Sequence, residues 1–378
     1  MESDDTIEKA VIVGGGLAGL TAAYELKRAG IAARIFDKDD KIGQTWLDRH
    51  PQLSLNTHRS VSHLPRLEYP RGTPAFPRRT DVAVHLQEFA RRHDLSVEHG
   101  VTVSDIRRTD DCFTMQINAA SVRARNVVIA TGRDRYPVMP ILQGGDGYRG
   151  LLIHSSQFGD AKQYEGKRVL VIGGGNSGFD VLNHLSRVRP AQTWVSVRSG
   201  STILPKRLHG IAVHRLSPLV AALPSKVADV SIALTQFLAF GSLADTGLPA
   251  AHKGAATRLS NEQIAIPVDD GAIRSIRDGR TKVVSEVLGF SGDMVSLADG
   301  TSIDPEIIIA ATGYGAGLGS LIPALDGTEG VSIRQSNAYE GLWFVGMTPG
   351  LISYFHNVRR ESRQIAIAIR ARRYRQFT

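Results

Sequence analysis

Apolar positions along the chain fall into short unbroken runs, amphipathic stretches and a few alternating segments. The run Ala10-Val11-Ile12-Val13 is apolar and mostly β-branched, the pattern of a strand buried on both faces. It passes through Gly14-Gly15-Gly16-Leu17-Ala18-Gly19 into an amphipathic pattern that ends near Arg28, which predicts strand, tight turn and helix. A second strand is expected over Ala33-Arg34-Ile35-Phe36, ending at Asp37. The arrangement then recurs. Arg168-Val169-Leu170-Val171-Ile172 enters Gly173-Gly174-Gly175-Asn176-Ser177-Gly178, a helix through Leu185, and a strand Thr193-Trp194-Val195-Ser196-Val197 that ends in Arg198-Ser199. Two further strands of buried type echo each other: Asn126 to Ile129 closes on Ala130-Thr131-Gly132, and Ile307 to Ala310 closes on Ala311-Thr312-Gly313-Tyr314. Strand-like pieces over Lys282 to Phe290 and Met294 to Leu297, and a late strand within Gly341 to Gly346, complete the outline.

The repeated glycines have physical roles. Gly14 and Gly173 permit a tight turn, Gly16 and Gly175 let the backbone approach a pyrophosphate, and Gly19 and Gly178 let the helix pack close to its strand. The helix N-terminus offers unpaired N–H groups and the positive end of its dipole to phosphate. Asp37 stands where an acid binds a ribose diol. In the second copy Arg198 occupies that place, with Ser199 beside it, which suits a 2′-phosphate and favours NADPH over NADH; a solvated strand-end charge is the other reading. The expected fold class is therefore α/β, with two nested Rossmann-like dinucleotide-binding domains. The FAD-binding domain is expected over 1–155 and 304–378, and the NADPH-binding domain over 156–303.

Composition narrows the picture without changing it. Apolar and charged fractions of 42% and 22% are those of a globular protein. No apolar run approaches the roughly 18 residues needed to cross a bilayer, so no membrane span is expected. Met1 to Asp5 is acidic and polar, unlike a secretory or transit segment. The single cysteine, Cys112, excludes an intrachain disulfide and a CxxC pair. The chain reads as intracellular, in the cytoplasm. The net charge of +8 comes without a nucleic-acid-binding pattern, so no nucleic-acid partner is expected. Arginines from Arg359 to Arg375 (including Arg360, Arg363, Arg370, Arg372 and Arg373) read as a solvated helix face or a contact surface. No metal-ligand spacing is recognised. The stretch Ile211 to Ala244 is rich in Ala, Leu and Val with few charges; a core hairpin, a substrate channel, a partner surface and a membrane surface all fit it.

Tyr148-Arg149-Gly150 followed by His154 and Phe158 resembles the F-x-G-x-x-x-H-x-x-x-[YF] signature of flavin-containing monooxygenases, with Tyr148 in place of the first phenylalanine. Gly43-Gln44-Thr45-Trp46 is similar to the family's flavin contact GGxW, with Gln44 replacing a glycine. Ser54-Leu55-Asn56-Thr57, Phe76-Pro77, the amphipathic stretch Val82 to His93, Asn176-Ser177-Gly178 and Ala311-Thr312-Gly313-Tyr314 extend the resemblance over almost the whole chain. Ile203-Leu204-Pro205, Pro267-Val268-Asp269 and Gly341-Leu342-Trp343 look most like the indole-3-pyruvate monooxygenase branch.

The resemblance implies that NADPH reduces FAD and that reduced flavin captures O2 as a C4a-hydroperoxide. A small organic substrate then takes one oxygen atom, on nitrogen, sulfur or an activated carbonyl carbon. It implies Asn56 as the residue beside the flavin, able to donate to the peroxide or to a retained NADP⁺, with an Asx-turn role as the alternative. Expected cofactor contacts are Gly14, Gly16, Leu17, Ala18, Gly19, Asp37, Lys38, Gln44, Thr45, Trp46, Asn56, Thr131 and Gly132 in one half. In the other half they are Gly173, Gly175, Asn176, Ser177, Gly178, Arg198, Ser199, Thr312, Gly313 and Tyr314. His154 reads as a tie between the two domains or as a participant in the chemistry. A flavin reductase passing electrons to a protein partner or to oxygen, and a binding protein without turnover, are the competing readings. A homodimer is left open.

Overall fold

The computed structural model describes residues 6–144, 147–325 and 340–375, without the side chains of 373–375. Met1 to Asp5, and the side chains of Arg373 and Arg375, lie outside them. Two parallel sheets are built from β1 (Val11–Val13), β2 (Arg34–Phe36), β3 (Val127–Ile129), β4 (Leu151–His154), β5 (Arg168–Ile172), β6 (Gln192–Ser196), β7 (Thr281–Val284), β8 (Ile307–Ala310) and β9 (Leu342–Phe344). The first sheet runs β9-β3-β1-β2 and the second β7-β6-β5-β8-β4. Each glycine motif follows a central strand and opens a helix: α1 (Leu17–Arg28) after β1 and α2 (Asn176–Leu185) after β5. Later helices include α3 (Ser225–Phe240) and α4 (Tyr354–Arg375).

The chain divides into two compact units, one formed by 1–48, 59–136 and 314–378, the other by 49–58 and 137–313. Both are Rossmann-type, and they share a plan. In the first, an antiparallel meander (Val103–Thr109, Cys112–Ile117 and Ala120–Ala124, with Ile7–Glu8 added parallel at its edge) leads into β3 and packs Phe113, Met115 and Ile117 against Val11, Val127 and Ile129. In the second, Val287–Ser291, Met294–Leu297 and Ser302–Ile303 lead into β8. Here the alternation along the strands is explicit. Val169, Val171, Ile307 and Ile309 face Phe179 and Leu182 of α2. Leu170, Trp194 and Ile308 face Val295 and Leu297 on the other side. A parallel sheet covered on both faces must be apolar at successive positions, which is why these strands read as unbroken runs.

Three expectations shift. β8 pairs with β5 from Val169↔Ile307 to Ile172↔Ala310, and β4 pairs with β8, so both belong to the inserted unit. That unit therefore runs from 137 to 313 rather than 156–303, and takes in 49–58 as well. The Lys282 to Phe290 stretch is two strands in two sheets: Thr281–Val284 joins β6, and Val287–Ser291 pairs antiparallel with Met294–Leu297. Finally, Ile211 to Ala244 is no core hairpin, since most of its large side chains are solvent-exposed. Cys112 is buried.

Candidate functional site: two dinucleotide cradles

In the first unit Gly14 adopts φ 107° and its amide donates to the Phe36 carbonyl at 2.7 Å, drawing the turn across β2. A Cβ on Gly14 would stand 2.6 Å from the Ala130 carbonyl oxygen, and one on Gly19 would stand 1.8 Å from that of Gly14. Both positions are closed to a side chain by backbone. At Gly16 a Cβ would meet nothing within 4 Å. Gly16 also caps α1 with no side-chain hydrogen bond, so the first-turn amides face open space. That is the shape a pyrophosphate requires.

Asp37 is held at the end of β2. Its Oδ2 accepts from the Gly15 amide at 2.5 Å and its Oδ1 from the Asp39 amide at 2.9 Å. Burial pushes this carboxyl up, against the lowering effect of those two amides. Gly132 takes φ 81°, and the Thr131 hydroxyl beside it is buried with no protein partner. An orphaned buried hydroxyl next to an open glycine turn fits a bound dinucleotide. Leu17 and Ala18 are buried under the turn, and Lys38 is exposed. The short helix Gln44–Leu47 starts from Gly43 at φ 87°. Thr45 Oγ1 donates to Asp39 at 3.0 Å, Gln44 Nε2 donates to Asp48 at 2.5 Å, and the Trp46 ring lies 6.4 Å from that of Phe355.

The second unit repeats this geometry. Gly173 adopts φ 118° and donates to Ser196 at 2.9 Å; a Cβ there would lie 2.5 Å from the Ala311 carbonyl oxygen. A Cβ on Gly178 would lie 1.9 Å from the Gly173 oxygen, whereas one on Gly175 meets nothing within 4 Å. Asn176 and Ser177 open α2, and Gly175 caps it without a side-chain bond. Arg198 and Ser199 are exposed beyond β6, and among the described residues no ion pair holds Arg198. Thr312 Oγ1 donates to the Val138 carbonyl at 2.5 Å and Gly313 takes φ 94°. Tyr314 begins the return to the first unit.

Asn56 belongs to the second unit, where its Nδ2 donates to Asn176 Oδ1 at 3.1 Å. The structure thus brings it to the start of α2. His154 is buried at the end of β4; its Nε2 donates to the Gly313 carbonyl at 3.0 Å and its Nδ1 accepts from the Ser156 amide at 3.1 Å. Burial lowers its pKa, against the raising effect of the Gly313 contact. These two partners lie in its own unit, and the Gly313 contact holds the Thr312-Gly313 turn.

Sequence reasoning missed two clusters. His50 Nε2 lies 2.9 Å from Asp180 Oδ2, and His184 Nε2 lies 3.7 Å from Oδ1, four residues on along α2. These groups stand close enough to hold a metal ion, but Asp180 already serves as acceptor for the rings. Burial would raise the Asp180 carboxyl; hydrogen bonds from His184 and His50 outweigh it and hold the group well below the usual carboxylate range. In the first unit Glu361 accepts from the Gly346 amide at 2.8 Å, from Thr348 Oγ1 at 3.0 Å and from Asn357 Nδ2 at 2.9 Å, fixing the turn after β9 on α4. The i, i+4 spacing of Asn357 and Glu361 was the available signal. The C-terminal arginines are not simply solvated: Arg359 Nη1 lies 3.1 Å from His63 Nδ1, and the Arg372 guanidinium lies 5.4 Å from the Trp343 ring centroid.

Residues 11–220 match the family model described as pyridine nucleotide-disulphide oxidoreductase, which is more than half of the chain. Indole-3-pyruvate monooxygenase YUCCA1 of Oryza sativa subsp. japonica is 30% identical over 357 residues, covering 90% of this chain and 86% of the relative. The chain belongs to the flavin-containing monooxygenase family. As a flavin-dependent NADPH monooxygenase it takes FAD and NADPH as cofactors. A flavin-containing monooxygenase from Stenotrophomonas maltophilia superposes with a TM-score of 0.74 at 22% identity, covering 96% of this chain and 98% of that one. Bacillithiol disulfide reductase from Staphylococcus aureus does so with a TM-score of 0.63 at 17% identity, covering 97% and 99%. The fold alone therefore serves both monooxygenases and reductases. Among the described residues no helix of this monooxygenase is long and apolar enough to cross a membrane.

Proposed function

We propose that the cradle at Gly14 to Gly19 holds FAD, that the cradle at Gly173 to Gly178 holds NADPH, and that the enzyme inserts one atom of O2 into a small organic substrate. The substrate class is a nitrogen or sulfur nucleophile or an activated carbonyl carbon. The naming of the 30%-identical relative puts an aromatic 2-oxo acid such as indole-3-pyruvate first among these. The observation that carries the reading is the pair of matched cradles, each closed to side chains on the strand side and open on the helix side. When bound, FAD supplies oxygen activation through a C4a-hydroperoxide and NADPH supplies the hydride. The protein's part is positioning. First-turn amides of α1 and α2 take the phosphates, Asp37 takes a ribose diol, and Asn56 presents an amide at the start of α2.

The test is stopped-flow absorbance of NADPH-reduced enzyme mixed with oxygenated buffer, with and without indole-3-pyruvate. A transient flavin adduct consumed faster with substrate, together with an oxygenated product, is expected. Direct reoxidation to peroxide in both arms sinks the reading in favour of an electron-passing reductase.

Two outcomes follow for single residues. Asp37→Ala removes the carboxylate that both fixes the Gly15 turn and faces the ribose. Losing one such charge-assisted contact costs about 1.5–3 kcal/mol, so flavin affinity is expected to fall ~10–100-fold, read by fluorescence titration of the apoprotein. Arg198→Glu replaces a free cation with an acid suited to a ribose diol. The NADPH-to-NADH ratio of kcat/KM is expected to drop by at least about tenfold. An unchanged ratio would place the 2′-phosphate elsewhere.

A further inference from the structure

Helix α3 is inside out. Two of its polar side chains turn toward its own unit: Asp229 Oδ1 accepts from the Ala256 and Thr257 amides at 2.7 and 3.1 Å, and Gln236 Oε1 accepts from the Ile203 amide at 2.6 Å. The buried residues of this helix are Ala228 and Ile232. Its large apolar side chains face solvent instead, with Val230 68% exposed and Phe237 and Leu238 each 60%. Val227, Val230, Leu234 and Phe237 recur at steps of three and four, one continuous stripe along the helix, with Leu223 just before it. From Ile211 to Leu238 nine large apolar side chains are exposed. Together they present on the order of 1,000 Å², where the largest apolar patch of a typical monomer is roughly 300–600 Å².

We propose that this face is the interface with a second copy of the chain, α3 packing antiparallel on its partner's α3 about a twofold axis between Val230 and Leu234. Three observations select that occupant. The exposed apolar area matches the roughly 800 Å² per partner of a standard specific interface. Charge is depleted as at an interface centre: between Leu216 and Ala244 the charged residues are Lys226 and Asp229, and Asp229 is spent on the cap of the helix Ala255–Glu262. A helix lying on a membrane surface carries several Lys and Arg along an outward polar face, and α3 carries Lys226 alone. In the antiparallel pair Lys226, in the first turn, meets the carbonyl end of the partner helix, the negative end of its dipole. An isologous pairing of this kind uses one patch twice and closes without leaving a free copy of it.

The test is the mass of the FAD-loaded full chain by sedimentation velocity over a concentration series. The wild type is expected to sediment as two chains. Leu234→Glu with Phe237→Glu is expected to sediment as one, with flavin content kept because both side chains are more than half exposed. A wild type that stays a monomer overturns the proposal, as does a dimer indifferent to the double substitution. So does a monomer that co-sediments with phosphatidylserine vesicles, which would give the face to a membrane. Should the double variant lose its flavin, Val230→Cys with Leu234→Cys decides. Mild oxidation is expected to link two chains covalently, Cys112 being buried, and no cross-link overturns the proposal.

Discussion

Flavin reduction by NADPH is expected to fall about 100-fold or more in Gly178→Ala, with FAD still bound. The added Cβ would lie 1.9 Å from the Gly173 carbonyl oxygen, a backbone atom that is itself fixed by the Gly173 turn across β6. The clash can be relieved only by tilting α2 away from β5, which withdraws the first-turn amides from the phosphates. Losing that alignment on a charged ligand corresponds to roughly 3 kcal/mol, hence the two decades in affinity. Gly175→Ala separates the two components. Its Cβ meets no protein atom within 4 Å, so thermal stability is expected to stay at the wild-type value while NADPH binding weakens, because the methyl enters the space left for the pyrophosphate. Rapid-reaction reduction rates against NADPH concentration, with a melting curve for each variant, read both. A Gly178→Ala enzyme with unchanged NADPH dependence, or a Gly175→Ala enzyme that melts early and binds normally, would contradict the cradle geometry.

What was legible in the chain follows from which interactions are local. The glycine motifs could be read because their requirement is a backbone conformation and a close approach within one strand-turn-helix unit, and Gly14 and Gly173 at φ 107° and 118° meet it with the same contacts. The outer limits of the inserted unit could not. β8 is an unbroken apolar run, and such a run shows that it is buried without showing which strand it pairs with. Its true neighbour β5 lies more than a hundred residues earlier in the chain. The ten-residue segment 49–58 carries Asn56 into the second unit with no change in composition to mark the crossing. Polar clusters were lost for a related reason. Asp180 and His184 look like the solvated face of a helix until His50 arrives from a distant segment, and Asn357 and Glu361 until the 346–348 turn folds onto α4. The outward face of α3 could not be assigned either: its apolar residues suit a core, a channel, a partner surface or a membrane surface alike, and the inward turn of Asp229 and Gln236 depends on partners outside the helix.

Asp180 is expected to matter to both stability and turnover, because it joins the segment carrying Asn56 to the helix carrying Asn176. His50 lies six residues before Asn56, and Asp180 four residues after Asn176, so the His50–Asp180 contact and the Asn56–Asn176 bond staple the same two elements. Asp180→Asn keeps the size and removes the charge, leaving two buried imidazoles that share one neutral amide. A loss of about 1–3 kcal/mol is expected at pH 7 by chemical denaturation, the range for breaking a buried, charge-assisted contact. The pH dependence has a definite sign. The folded-state pKa is depressed, so the stabilisation is complete above the ordinary aspartate value of about 3.9 and disappears as pH falls toward the folded-state value. The wild-type and Asp180→Asn stabilities should therefore converge only in acid. Catalysis supplies the second readout. With the 49–58 segment loosened, NADPH-dependent turnover is expected to drop, and Asn56→Ala is expected to reproduce that drop with a smaller loss of stability, because the His50–Asp180 contact remains. Asp180→Glu, which retains the charge, should recover part of both. Equal stabilities at pH 7, or full turnover in Asp180→Asn, would reduce the histidine–aspartate contact to an incidental neighbour and leave Asn56 held by Asn176 alone.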